Sequence, residues 1–541
     1  MAVVKDKVEL YDTTLRDGSQ REGISLSVKD KLKITEKLDD LGVDYIEGGW
    51  PGSNPKDMEY FDLVKELNLK NARVSAFGST RRPGVNVEDD NNVSALLKAG
   101  TDTITIFGKS WDFHVLRILN TSLEENLLMI GDTVRFLKEK NKHVVFDAEH
   151  FFDGYKNNDS YAMETLKIAA ENGADTVVLC DTNGGVMPWE VQSIVREVKK
   201  KIPATIGIHV HDDGGMAVAN SVVAVREGAR HVHGTVNGYG ERCGNANLCT
   251  IIPTLIFKLK MPVLSKSKLK KLTDLSYFVA ELCNMVPSDQ QPYVGLNAFT
   301  HKAGVHVDAV SKNPDSYEHV KPEIIGNRRR ILVSELSGKS NILYKVRESN
   351  IELLKEDPET KRIVETIKKM EYEGYQFEIA EGSFELMVWK VMNAYESLFR
   401  LEGFRVIVEK HGDGHSHCEA TIKVVVGDRE IHTAAEGNGP VNALDNALRK
   451  ALEEVFPVLK KIKLVDYKVR VLEARDGTGA RVRVLLESKN DKKSWTTVGV
   501  SANIIEASWK ALVDSIEYAL LCKKMPSVLK DKKLLGLLNK E

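Results

Sequence analysis

The first 260 or so residues alternate short apolar, β-branched runs with longer amphipathic runs, and this alternation constrains the fold most. Eight runs have the character of strands, at residues 8–14, 43–49, 72–78, 101–108, 143–150, 176–182, 205–212 and 231–238. Because repeated βα units imply parallel strands, eight of them in about 250 residues predict a closed (β/α)8 barrel, or TIM barrel. An open, doubly wound sheet is the alternative, but no GxGxxG turn follows the first strand.

The pattern of apolar and polar residues changes twice after the predicted barrel. Strand signals vanish over residues 264–395, where charged helical patterns predict a helical connector. Beyond residue 396, three strand-like runs precede a helical run, and the pattern recurs about 63 residues later, aligning Phe404 with Tyr467 and Thr433 with Thr496. We therefore predict an α+β carboxyl-terminal domain of two βββα repeats, and three domains over residues 1–263, 264–395 and 396–541.

Composition excludes several classes of function. The 541 residues include 76 Lys and Arg against 78 Asp and Glu, so no field of one sign favours nucleic acid. Apolar runs fall far short of the roughly 18 residues of a membrane helix, and the six cysteines form no CxxC pair. The amino terminus runs into the first strand without a signal-like apolar core. We expect a cytoplasmic protein that acts on small molecules, with neither nucleic acid nor membrane as partner.

Polar residues follow the carboxyl ends of the predicted strands, where barrel enzymes build their active sites. His209 and His211 are two residues apart on strand seven, so both imidazoles point inward. Asp17 follows strand one, which neighbours strand eight in a closed barrel, and Asn245 lies in the loop after strand eight. One carboxylate, two imidazoles and one amide oxygen leave two octahedral positions for substrate oxygens, which suits Mg²⁺ or Mn²⁺ and can also accept Zn²⁺.

A second HxH pair, His231 and His233, opens strand eight rather than closing it, and we interpret it as structural. Arg16 bears on the substrate, because a cation beside a guanidinium can polarise a 2-oxo acid whose carboxylate and ketone oxygens chelate the metal. This pattern predicts carbon–carbon bond chemistry at a ketone. Glu149, on the same strand face as Asp147, could take a proton or orient a base, although pairing with a barrel Lys or Arg explains it equally well.

Four motifs in order resemble a known family: DTTLRDGSQ (12–20), HVHDD (209–213), NGYGERCGN (237–245) and NAFTHKAGVHVDAV (297–310). They are similar to the metal-dependent Claisen-condensing barrels that include isopropylmalate, homocitrate and citramalate synthases, and the likeness covers nearly the whole chain. Three further runs, IEGGWPGSNPKD (46–57), FGSTRRP (77–83) and DAEHFFDGY (147–155), look most like the citramalate branch. That branch condenses acetyl-CoA with pyruvate and hydrolyses the thioester to (R)-citramalate and CoA, for isoleucine biosynthesis.

The resemblance implies a role for each candidate residue. It implies four metal ligands, the same four that the strand-end argument gives: Asp17, His209, His211 and Asn245. Arg16 would stabilise the developing alkoxide, and the Thr182 hydroxyl would hold the pyruvate carboxylate. His306 would act with Glu149 to deprotonate the methyl group of acetyl-CoA, and Tyr317 would lie near the substrates. In this family the connector residues reach the barrel of the partner subunit, which implies a catalytic homodimer.

The carboxyl-terminal repeats resemble the amino-acid-sensing regulatory domain of the same synthases. Residues 437–440 (GNGP) precede a helical run and are mirrored by residues 500–503, so backbone donors at a helix start could receive a ligand carboxylate. Ordinary caps and turns would give the same pattern. Family and pathway imply feedback by isoleucine.

Three alternative functions stay open at this point. A 2-isopropylmalate or homocitrate synthase would bind the same chelating head and differ only in the tail of the oxo acid. A hydroxyacyl-CoA lyase of the same superfamily would share the RDG and HxH elements, but such lyases carry a catalytic cysteine followed by Pro, whereas Cys243 lies in GERCGN. A non-catalytic amino-acid sensor would have lost catalytic groups, all of which are present here.

Overall fold

The computed structural model describes residues 7–332, 358–377, 379–395, 397–410, 412, 416–472, 479–491 and 493–521. They form two compact units. The first comprises the described residues up to Phe299 with Val320–Arg329, and the second comprises Thr300–His319 with the described residues from Arg330 onward. The division by function that we place at residues 263 and 395 stays a prediction. No helix in the described ranges is long and apolar enough to cross a membrane.

Eight parallel strands close the barrel of the first unit, which confirms the predicted fold class. Each strand pairs with its sequence neighbour, and β1 pairs with β8 from Glu9↔His231 to Asp12↔Gly234. The strands are β1 Glu9–Asp12, β2 Tyr45–Gly49, β3 Arg73–Ser79, β4 Thr103–Lys109, β5 His143–Glu149, β6 Thr176–Asp181, β7 Thr205–Val210 and β8 His231–Gly234.

Strand β8 is shorter than the sequence predicts. It ends at Gly234 instead of residue 238, because Val236–Gly238 form a 3-10 turn in which Asn237 adopts a left-handed φ of 63°. The carbonyl of Asn237's neighbour Gly238 accepts a hydrogen bond from the Asn245 backbone N–H, which folds this loop back over the barrel mouth. The early end of β8 therefore helps to place Asn245.

Helices surround the barrel and bury one apolar face against it. The Ser27 hydroxyl caps the first of them in a reciprocal capping box with Asp30, and Gly42 ends it with φ at 95°. The helices of this unit are α1 Val28–Leu41, α2 Pro55–Val64, α3 Asn91–Lys98, α4 Asp112–Arg117, α5 Leu123–Glu139, α6 Phe151–Asn157, α7 Asp159–Glu171, α8 Pro188–Lys201, α9 Ala217–Glu227, α10 Leu248–Phe257, α11 Lys266–Leu269 and α12 Leu272–Leu282.

The second HxH pair lies inside the barrel at the amino ends of the strands. Both rings are fully buried, and the His233 ring stacks on Tyr11 with 4.0 Å between centroids. The Nδ1 atom of His231 lies 3.3 Å from Oε2 of Glu9. These contacts are those of packed core side chains.

The second unit holds two three-stranded antiparallel sheets, each followed by a helix, so the two βββα repeats are confirmed. Both first strands carry a bulge at the same place, after Leu401 and after Leu464. The elements are α13 Gly304–Lys312, α14 Pro358–Tyr372, α15 Glu381–Val391, α16 Pro440–Leu452 and α17 Ile504–Leu521, with strands β9 Thr300–His301, β10 Arg330–Ile331, β11 Arg400–Lys410, β12 Ser416–Val426, β13 Arg429–Gly437, β14 Lys463–Val471, β15 Val482–Lys489 and β16 Ser494–Ser501.

The ladders correct the predicted alignment of the repeats by one residue. Phe404 and Tyr467 occupy the same position, since they pair with Ile422 and Leu486 respectively. Those two partners pair in turn with Thr433 and Thr497. Thr433 is thus equivalent to Thr497, not to Thr496, because the second repeat is one residue longer between these ladder positions.

Candidate active site

Three side chains that could bind a metal converge at the carboxyl end of the barrel. Nε2 of His209 lies 3.3 Å from Oδ2 of Asp17 and 3.3 Å from Nε2 of His211. All three residues are buried, and among the described residues they form the one cluster of His, Cys and carboxylate groups close enough to share an ion. The strand-end argument therefore predicted their proximity correctly.

The charges around this cluster favour an ionised Asp17 and a neutral His211, as a cation requires, but they favour a protonated His209. Burial acts to raise the pKa of Asp17, but Arg16 and His209 outweigh it and hold that pKa well below its usual range. Burial lowers the pKa of His211 to about 3, so this imidazole is neutral near pH 7. Burial also acts to lower the pKa of His209, yet the adjacent Asp17 carboxylate raises it above its ordinary value. A metal ion binds ionised carboxylates and neutral imidazoles, so a cation here would displace the proton from His209.

The fit of a metal ion also rests on polar atoms that are buried without partners. Within the described residues, neither carboxylate oxygen of Asp17 has a hydrogen-bond partner, and the Asn245 Oδ1 atom has none. Asn245 is 2% exposed and forms a β-bridge with His211, which brings it beside the cluster. Since buried polar atoms are normally satisfied, these orphaned oxygens fit the coordination of a divalent cation.

Arg16 is fixed beside the cluster by three contacts. Its Nε donates to Oε2 of Glu47 at 2.6 Å, and its Nη1 lies 3.6 Å from Oδ2 of Asp17. Its guanidinium carbon lies 3.8 Å from the centre of the Phe77 ring. Glu47 is itself fully buried, and it accepts a second hydrogen bond from the Tyr11 hydroxyl at 2.8 Å. The guanidinium is therefore preorganised before any substrate arrives.

Glu149 and Thr182 line the cavity above the cluster. Glu149 pairs with Lys109 of β4, so the charge pairing left open by the sequence is present in the structure. The Thr182 Oγ1 atom accepts a hydrogen bond from the His150 backbone N–H at 2.9 Å, which leaves the hydroxyl proton available for a ligand. The Thr182 carbonyl accepts from Arg242 at 2.8 Å, and this contact fixes the loop after β8 to the end of β6. Arg242 was not among the residues predicted from sequence.

The cavity above the cluster is small, about 230 Å³. Acidic, basic and imidazole groups line one part of it, and three aromatic rings line another. Its lining residues are Arg16, Asp17, Gln20, Trp50, Phe77, Phe107, Asp147, Glu149, Cys180, Thr182, His209, His211, Glu241 and Arg242. Burial raises the pKa of Asp147 to about 7. This volume suits a substrate of a few heavy atoms, since sites for drug-sized ligands occupy roughly 300–1,000 Å³.

His306 and Tyr317 lie in the second unit, next to each other. Their rings are 4.4 Å apart at 31° between planes, and both side chains are exposed. Tyr317 is 47% exposed, so the pair is available to a ligand or to another subunit. The roles that the resemblance implies for them stay a prediction.

Sequence reasoning missed Glu47, although a signal was present. On β2 the side chains of Tyr45 and Glu47 share one face by the period of two, and an acidic residue on the inward face of a barrel strand needs a partner. That partner, Arg16, follows β1, which pairs with β2. A strand-neighbour argument of the kind used for Asp17 would have found it.

Family models match nearly all of the chain. Residues 7–279 match the HMGL-like model, residues 293–374 match the homocitrate synthase post-HMGL domain-like model, and residues 378–520 match the LeuA allosteric (dimerisation) domain. The fold and the site thus define an HMGL-like barrel enzyme with a LeuA-type regulatory domain.

Relatives narrow the class further. The (R)-citramalate synthase of Geobacter sulfurreducens is 56% identical over 514 residues, which cover 95% of this chain and 97% of the relative. That of Aquifex aeolicus is 54% identical over 518 residues, covering 95% and 98%. The 2-isopropylmalate synthase of Methanocaldococcus jannaschii is 32% identical over 517 residues, covering 95% of each chain. The chain belongs to the (R)-citramalate synthase family, as its motifs suggested, and it is a condensing acyltransferase.

Proposed function

We propose that this protein condenses acetyl-CoA with pyruvate and hydrolyses the resulting thioester, which yields (R)-citramalate and CoA for isoleucine biosynthesis. The methyl carbon of acetyl-CoA bonds to the ketone carbon of pyruvate, and water then cleaves the thioester. The observation that carries the proposal is the position of Arg16, preorganised by Glu47 beside the Asp17, His209 and His211 cluster in a cavity of about 230 Å³. The identity to citramalate synthases supports pyruvate as the oxo acid.

Asp17, His209, His211 and Asn245 would hold a divalent cation. Their mixed oxygen and nitrogen set suits Mg²⁺ or Mn²⁺ and also accepts Zn²⁺. When bound, such an ion acts as a Lewis acid that polarises the ketone.

Two residues hold the oxo acid and its developing charge. The Arg16 guanidinium faces the ketone oxygen and donates hydrogen bonds to it as negative charge accumulates there. The Thr182 hydroxyl donates to the carboxylate of pyruvate, because its oxygen already accepts from the His150 N–H. Both donors are fixed before binding, so little reorganisation opposes the reaction.

Proton removal from the acetyl-CoA methyl group falls to Glu149 and His306. Since Lys109 already pairs with Glu149, we assign orientation of the base to Glu149 and acceptance of the proton to His306. The Tyr317 ring lies beside the His306 ring, with 4.4 Å between centroids and 31° between planes. We propose that these two connector side chains complete the barrel site of the other subunit in a homodimer.

The LeuA-type domain supplies feedback, and we propose isoleucine as its ligand. Residues 437–439 precede α16, whose amino terminus has no side-chain cap among the described residues. By contrast, the Asn503 side chain accepts from Ile505 N–H at 2.8 Å at the start of α17. Free backbone donors at α16 suit a carboxylate, while the mirrored loop is an ordinary cap. The first repeat is thus the better candidate.

Thiol release from acetyl-CoA by the purified protein tests the function. The assay is run with Mg²⁺ or Mn²⁺ and separately with pyruvate, 2-oxoisovalerate and 2-oxoglutarate. Pyruvate should dominate, and chiral analysis of the product should give the R enantiomer. Preference for 2-oxoisovalerate or 2-oxoglutarate would make the protein an isopropylmalate or homocitrate synthase, and amino-acid binding without thiol release would make it a sensor.

A further inference from the structure

One wall of the cavity consists of three aromatic rings from successive strands. Trp50 follows β2, Phe77 lies in β3 and Phe107 lies in β4. The Trp50 ring meets the other two edge-on, with centroids 5.7 Å from Phe77 and 5.5 Å from Phe107, and the two phenyl rings stack at 5.5 Å. These are favoured aromatic geometries, so each ring restrains the others. The wall therefore has little freedom to yield to a larger substrate.

The segment around Trp50 fixes this ring from two sides. Asp57 accepts the Trp50 backbone N–H at 2.9 Å and is paired with Lys31, which is 3% exposed. The indole Nε1–H donates to Oδ1 of Asn92 at 2.8 Å. Gly49 has a φ of 150°, and a Cβ there would lie 2.4 Å from the Asp57 carboxyl carbon. A buried ion pair, a glycine and an amide thus serve to position one indole.

The aromatic wall and the candidate metal ligands come from different strands. The cluster ligands lie in β7 or follow β1, β7 and β8, whereas the rings lie in β3 and β4 or follow β2. The Arg16 guanidinium lies on the face of Phe77 at 3.8 Å, so the aromatic wall adjoins the group assigned to the ketone oxygen. A 2-oxo acid held by its carboxylate and ketone would direct its remaining carbon atoms toward these rings.

We infer that Trp50 is a specificity-determining residue that limits the tail of the 2-oxo acid to a methyl group. The inference rests on the proposed function, since it assumes that the cavity binds a 2-oxo acid. It gives a physical role to the run IEGGWPGSNPKD, which contains Trp50. Phe77 and Phe107 support the indole, and Trp50 is the largest ring and the one with a dedicated set of restraints.

The test compares kcat/KM for pyruvate, 2-oxobutyrate and 2-oxoisovalerate in the wild type and in Trp50→Leu. One methylene in an apolar pocket changes the ratio of kcat/KM between two substrates by roughly 10- to 200-fold. We expect Trp50→Leu to raise the preference for 2-oxobutyrate over pyruvate by at least about 10-fold. The matched control is Trp189→Leu, because Trp189 is 67% exposed at the start of α8, and its ratios should stay at the wild-type values. Asn92→Ala, which keeps the ring but removes its anchor, should give a smaller rise.

Two results would overturn the inference. An equal loss of kcat/KM for all three acids would show that the indole shapes the site without discriminating between the side chains of the oxo acids. A changed KM for acetyl-CoA with unchanged oxo-acid ratios would assign Trp50 to the thioester instead. If the leucine variant does not fold, Trp50→Phe supplies the same comparison. If the wild type turns over none of the acids, the proposed function fails, and the dissociation constants of the three acids with Mn²⁺ present then decide the role of Trp50.

Discussion

Replacing Glu47 by Gln tests the preorganisation of Arg16 most directly. The substitution keeps the shape of the side chain but removes the charge that accepts from Arg16 Nε at 2.6 Å, and it can turn an amide N–H toward the guanidinium. A hydrogen bond to a charged group contributes about 1.5–3 kcal/mol. If that stabilisation is lost only where charge develops, kcat should fall roughly 10- to 150-fold, while KM for pyruvate changes less.

The assay is steady-state thiol release, with a thermal melt of each variant to confirm folding. Tyr11→Phe removes the other hydrogen bond to Glu47 and keeps its charge, so we expect a smaller loss of kcat. Glu197→Gln is the matched control, because Glu197 forms an exposed pair with Lys200 on α8. A folded Glu47→Gln variant with kcat within about twofold of the wild type would refute the argument that Glu47 positions Arg16.

Three further predictions concern the metal, feedback and pH. Mn²⁺ at 100 times its Kd should raise the free energy of unfolding of the wild type by about 2.7 kcal/mol, and its melting temperature should rise accordingly. Asp17→Asn should abolish both this shift and turnover. Gly437→Ala should relieve inhibition by isoleucine without lowering kcat, because its Cβ would lie 2.3 Å from the Ala443 nitrogen, whereas Gly403→Ala, with no described atom within 4 Å, should leave inhibition intact. Burial raises the pKa of Glu517 to about 7, so the folded unit retains a proton that the unfolded chain releases near pH 4.5. Its free energy of unfolding should therefore fall as pH rises from about 4.5 to 7, by up to about 3 kcal/mol, and melts of Glu517→Gln across that range should show a flatter profile.

The parts of the site that sequence could predict follow from strand geometry alone. The period of two placed His209 and His211 on one face, and barrel closure made the end of β1 a neighbour of β8, which brought Asp17 and Asn245 near them. Both arguments use only the order of the strands and the direction of the side chains. They hold because the eight strands of this barrel follow one another in sequence order, which sets the neighbours of each strand.

The parts that sequence could not predict depend on contacts across several strands. Trp50 reads as a turn residue before Pro51, and only the positions of Asn92 and Asp57 show that its ring is fixed in the cavity. Lys109 gave no signal as the partner of Glu149, because many barrel cations were equally available. Strand ends were also uncertain, since the backbone at Asn237 leaves the strand by a left-handed residue that no apolar pattern marks.

The order in which the chain supplies the candidate metal ligands has a consequence for its synthesis. Asp17 is translated before nearly all of the barrel, and His211 and its bridge partner Asn245 are translated near its end. At 5–20 residues per second, a ribosome takes roughly 10 to 50 seconds to pass from the first of these residues to the last. If these residues bind a cation, the ligand set is complete only once the last strand has joined the first, so metal retention would report a completed barrel during biosynthesis.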